Sequence, residues 1–88
     1  MTIAKRRAAW VDYLTDRFHR ITIQTNLEGI IVGTVDLESE LYVYRDMHNI
    51  FAIHRYVNDI WDGSEAIAYS LAGLSDALKA MGAAMIPF

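Results

Sequence analysis

The chain has 88 residues, 53% of them hydrophobic, a formal charge of −3 and no cysteine. A single domain, 1–88, is expected; disulfide frameworks and thiolate metal sites are excluded, and a cytoplasmic location fits. So much apolar surface in so short a chain predicts a surplus hidden against a larger protein partner or in a homo-oligomer, most simply a dimer.

Residues 3–19 read as a first helix with Ile3, Trp10, Leu14 and Phe18 on one face, Tyr13 at its edge and Thr2 as cap. Lys5, Arg6 and Arg7 lie at its start, with no apolar segment behind them of the kind a signal peptide needs. No run reaches the roughly 18 apolar residues that span a bilayer, so no membrane is expected.

From Arg20 the period changes to two. Ile21 and Ile23 alternate with Thr22 and Gln24 as a strand, Asn26–Gly29 forms a turn with Gly29 at positive φ, and Ile30–Val35 is the return strand. Gly33 in that strand is expected to admit a closely packed helix.

Asp36, Glu38 and Glu40 make an acidic link. Leu41–Tyr44 and Ile50–Ile53 are rich in β-branched and aromatic residues, with a turn at Asp46–Asn49 between them, and read as a second hairpin. The competing reading makes 39–60 one helix, because Leu41, Tyr44, His48, Phe51, Arg55 and Ile60 can be laid along a loose stripe.

The clearest periodicity is helical and covers 62–82. Ile67, Leu71, Leu74, Leu78 and Met81 recur at spacings of four and three. Asp62 and Glu65 read as a capping box behind Trp61, Lys79 complements the dipole, and Gly82 stops the helix. Beside the large residues runs a small stripe, Ala66, Ser70, Gly73, Ala77 and Ala80. That stripe, or the tail Met85–Phe88, is the expected surface for self-association. The fold class is therefore α+β: an N-terminal helix, an antiparallel sheet of about four strands in two hairpins, and a C-terminal helix packed on it. With 39–60 helical, it becomes a two-stranded hairpin with three helices.

Chemistry-bearing motifs are scarce. His19, His48 and His54 lack metal-ligand spacing, so neither a metal nor another cofactor is expected. Ser39, Ser64 and Ser70 lie in no nucleophile elbow. The single glycine of Asp62-Gly63-Ser64 does not make a phosphate loop, and the acids around it repel phosphate. The expectation is a protein that is not an enzyme; the weak exception is a site formed between subunits around His48 or His54.

The suggestive residues are aromatic. On paired strands Tyr42 and Tyr44 share one face of their strand, and His54 and Tyr56 share one face of theirs, with Arg45, Arg55 and Trp61 close by. Such rings anchor protein interfaces, and equally they stack single-stranded nucleic acid. They can also simply cover the second sheet face against the first helix. The acids Asp36, Glu38 and Glu40 are either a solvated face or orient a basic partner. Residues 1–20 carry a net +3 and residues 21–88 a net −6, which disfavours nucleic acid because its affinity comes from neutralised phosphates.

The expected function is thus a non-catalytic protein-binding module, concretely a small acidic inhibitor or adaptor of a larger basic, nucleic-acid-handling protein. Its contact residues are Tyr42, Tyr44, Arg45, Arg55, Tyr56 and Trp61, oriented by Asp36, Glu38 and Glu40. The rival is a nucleic-acid-binding module using Lys5, Arg6, Arg7, Arg17 and Arg20 with the aromatic sheet face.

Overall fold

Period-two alternation governs more of this chain than the sequence suggests. The computed structural model describes residues 8–23, 29–46 and 48–86. The elements run α1 (Ala9–Thr15), β1 (Ile21–Ile23), β2 (Ile30–Gly33), β3 (Ser39–Arg45), β4 (Phe51–Val57), β5 (Ile60–Ala68) and α2 (Leu71–Ala80). The strands form one antiparallel meander in the order β1-β2-β3-β4-β5. This is the expected α+β arrangement with one strand more than four, and β3 and β4 rule out a helix across 39–60.

Register separates the two sheet faces. The pairs Ile30↔Val43, Val32↔Leu41 and Val43↔Ile53 line one face, and Ile31↔Tyr42, Tyr42↔His54 and Tyr44↔Ala52 line the other. The first face buries Ile30, Val32, Leu41, Val43, Phe51 and Ile53 in one cluster with Trp10 and Leu14 of α1 and Leu74 and Leu78 of α2. Trp10 meets Phe51 edge-on, ring centres 5.6 Å apart. Both helices therefore cover the same face, and the aromatic strand residues do not pack against α1 as a sheet cover would.

The largest departure from expectation is at 60–70. Asn58 (φ 52°) and Asp59 (φ 66°) form a two-residue turn with both residues left-handed, the geometry that matches the right-handed twist of a hairpin. It returns the chain as β5 along β4, so 60–68 is strand and the helix begins only at Leu71. The Asp62–Glu65 capping box does not form. Instead the Ser70 hydroxyl accepts from the Gly73 amide at 3.0 Å, and Asp62 accepts the Ser64 amide at 2.8 Å around Gly63 at φ 88°. The β4–β5 register shifts between His54 and Tyr56, opposite this bulge. The small-residue stripe is divided accordingly: Ala66 lies on β5 and packs against the core, as does Ala77 from α2.

Other local expectations are also redrawn. The first helix is shorter than 3–19, ending at Thr15, and Ile3, Thr2, Lys5, Arg6 and Arg7 lie outside the described residues, as does most of the 26–29 turn. Gly29 is needed for close approach: a Cβ there would stand 2.4 Å from the Val43 carbonyl oxygen and 2.8 Å from the Tyr42 ring. Gly33 admits the Arg20 side chain, not a helix, with a Cβ at 2.8 Å from its guanidinium carbon. The segment after α2 docks on its own chain. Phe18 bridges Met85 and Thr34 bridges Ala83, while the Ile86 amide donates to the Arg17 carbonyl at 2.9 Å. Among the described residues no helix is long and apolar enough to cross a membrane.

Candidate functional site

The helix-free face collects the aromatic residues of three strands because each sits at an alternating position of its strand. Tyr42 and Tyr44 come from β3, His54 and Tyr56 from β4, and Trp61 from β5. The rings of Tyr42, Tyr44, His54 and Trp61 form a continuous row. Tyr42 and Tyr44 lie 5.5 Å apart, Tyr44 meets His54 edge-on at 5.5 Å, and His54 lies 5.2 Å from Trp61. Offset and edge-on contacts at these distances are the favoured geometries for aromatic pairs.

Two polar contacts hold the row in place. Glu65, directly across from His54 in the register, stands 2.6 Å from its Nε2. The indole Nε1 of Trp61 donates to the Ser64 carbonyl at 2.9 Å across the bulge. Both contacts depend on 60–68 being strand. The partnership of His54 with Glu65 is hidden from a reading that puts Glu65 in a helix cap; the Asn58-Asp59 turn between β-rich flanks is the signal that uncovers it.

The remaining candidate residues divide by position. Tyr56 faces Glu40 on one side and Trp61 on the other, on the open face. Arg55, one residue earlier, belongs to the opposite face: it donates to the Met81 carbonyl at the end of α2, and its Nε stands 3.8 Å from an Asp62 oxygen. A guanidinium at a helix C-terminus complements the dipole there, so Arg55 braces α2 and is not part of the aromatic row. Arg45 pairs with Phe51 in register and is exposed at the strand end.

Asp36 is a structural hub. Its carboxylate accepts from the Thr34 hydroxyl at 2.6 Å, the Glu38 amide at 2.9 Å and the Ser39 amide at 3.1 Å. The Thr34 hydroxyl foremost, then the two amides, lower its pKa from 3.8 to about 2. The same contacts hold Leu37 at φ 66°, a conformation costly for a bulky side chain. Asp62 is likewise lowered, first by the Ser64 hydroxyl and then by the Ser64 amide, with Arg55 adding to the effect. Glu38 and Glu40 lie with Arg20 and Asp59 around the shallow depression beside Gly33.

Among the described residues, three cations are committed within the chain. Arg20 donates to the Thr34 carbonyl, Arg55 to Met81, and Arg17 lies 3.6 Å above the Tyr13 ring while donating to the Tyr13 carbonyl. Among the described residues no three His, Asp or Glu side chains gather as metal ligands. Chemically the face offers ring surface, ring-edge hydrogen bonding and carboxylate charge.

These features define a small antiparallel meander with one covered face and one open aromatic face. Comparison with known protein families, with curated proteins and with solved structures finds no match for this chain.

Proposed function

We propose that the protein is a non-catalytic binding module whose helix-free sheet face docks on a larger, basic protein. The observation that carries this reading is the row Tyr42–Tyr44–His54–Trp61 on a face that neither helix covers. Rigid rings supply contact area with few rotatable bonds to freeze, which is why Tyr and Trp dominate interface anchors. The charge supports a basic partner: Glu38, Glu40, Asp59 and Glu65 share the face and its rim with the Arg20 guanidinium, which is already engaged. Carboxylates around an aromatic centre orient a cationic surface and exclude water from the rings. An inhibitor or adaptor that covers the nucleic-acid groove of a larger enzyme is the concrete form of this proposal.

The test is affinity capture from the native host followed by mass spectrometry, repeated with Tyr44→Ala/Trp61→Ala. A basic protein held by the wild type and lost by the double variant, with far-ultraviolet circular dichroism unchanged, is the expected result. Undiminished capture by the folded double variant overturns the proposal. So does a tight complex with a single-stranded oligonucleotide that weakens steeply between two salt concentrations, the signature of phosphate neutralisation.

A further inference from the structure

The open sheet has two edges, and they are built differently. Among the described residues β1 offers three, whereas β5 offers nine. Exposed large apolar side chains concentrate on and just after β5: Ile60 (72% exposed), Trp61 (49%), Ile67 (45%) and Tyr69 (77%). A long edge strand carrying exposed apolar residues is a template for pairing with another strand unless charge, proline or a bulge blunts it. Here the blunting is confined to one end. The Gly63 bulge and Asp62 interrupt the first half, while 64–68 runs Ser-Glu-Ala-Ile-Ala with its single charge already facing His54.

We propose that the β5 edge pairs with the β5 edge of a second copy of this chain, antiparallel and centred on Ala66, to give a continuous ten-stranded sheet. This interface runs along the sheet edge beside the aromatic face, with Trp61 and Glu65 of β5 belonging to both, and it stands whether or not that face binds a basic protein. Two features select the occupant and the register. Antiparallel pairing about Ala66 sets Glu65 opposite Ile67 of the partner subunit, so the Glu65 carboxylates are not placed directly across from each other, where like charges destabilise. Finally it brings the acidic start of β5, with Asp59 and Asp62, toward the start of the other copy's α2. The first turn of α2 contains no acidic residue, so its positive dipole end is free to be complemented by the neighbouring carboxylates.

Sedimentation equilibrium over a range of concentrations tests this directly. The wild type is expected to approach twice the 10.0 kDa chain mass. Ile67→Glu places like charges opposite each other twice across the two-fold axis and weakens dimerisation about tenfold or more. Ile67→Lys places a cation opposite the partner's Glu65 and keeps the dimer. Hydrogen exchange of the amides of 64–68 is expected to slow as concentration rises. A wild type that stays at monomer mass throughout, a folded Ile67→Glu that still dimerises, or loss of the dimer in both variants each overturns the proposal. Capture of the basic partner is read separately, since Ile67→Glu leaves Tyr44 and Trp61 in place.

Discussion

The two faces of this sheet are built from the same strands and obey opposite rules. On the covered face, Leu41, Val43 and Ile53 meet Leu14, Leu74 and Leu78, and all six are fully buried. On the open face, the same strands place Tyr42, Tyr44, His54 and Tyr56, all half-buried with polar atoms at their tips. The covered face is made of side chains with nothing to offer a partner except volume. The open face is made of rings that tolerate water at one end and can exchange it for another surface. Stability and recognition are thereby assigned to alternate residues of the same segments, and substitutions can separate them.

The sharpest separation is expected between Leu74 and Tyr44. Leu74→Ala opens a cavity under α2 and costs about 2–5 kcal/mol, a large part of what so small a domain has. Tyr44→Ala loses two ring contacts in a half-exposed site and costs about 1 kcal/mol. Chemical denaturation measures both. If Tyr44→Ala destabilises as much as Leu74→Ala, the open face is part of the core and the distinction between the faces fails.

The sequence makes this two-sided design legible in β3 and β4 and obscures it in β5. Alternation in Leu41–Tyr44 and in Ile53–Tyr56 is plain, and it places the rings on one side without any coordinates. Ile67, by contrast, falls in helical register with Leu71, Leu74 and Leu78, so local periodicity joins a strand residue to a true helix. What decides the matter is non-local: the Asn58–Asp59 turn and the free side of β4 give 60–68 a ladder to complete, and pairing outweighs a stripe that Ile67 only continues by coincidence of spacing. The same misassignment hides the His54–Glu65 contact, which needs both residues on adjacent strands. Asp36 is hidden for a different reason: a carboxylate binding its own loop has the same composition as one waiting for a partner.

Arg55 and Tyr56 are consecutive and point to opposite faces, so they narrow the comparison to a single peptide unit. Arg55→Met removes the guanidinium contacts to the Met81 carbonyl and the Ser39 hydroxyl and is expected to cost about 1–2 kcal/mol, with partner capture unchanged once the variant is folded. Tyr56→Ala is expected to weaken capture with a smaller loss of stability. A reversed pattern would move Arg55 back to the binding surface.

The smallest effect separates the carboxylates. Asp36 titrates at about 2 in the folded chain against an ordinary value of 3.8, so its ionised form is the one favoured by folding. The stabilisation it gives is fully present above about pH 4 and is lost as pH falls through about 2; Asp62, lowered in the same direction, adds to that acid slope. Asp36→Asn is expected to flatten the dependence of the unfolding midpoint on pH between 4 and 2 and to leave capture of the basic partner intact, because this carboxylate faces Thr34, Glu38 and Ser39 of its own loop. Glu40→Gln is expected to weaken capture at low salt, since Glu40 is exposed on the helix-free side opposite Tyr56. Equal losses of capture in the two variants would mean that Asp36 also meets the partner and that the loop it closes belongs to the binding face.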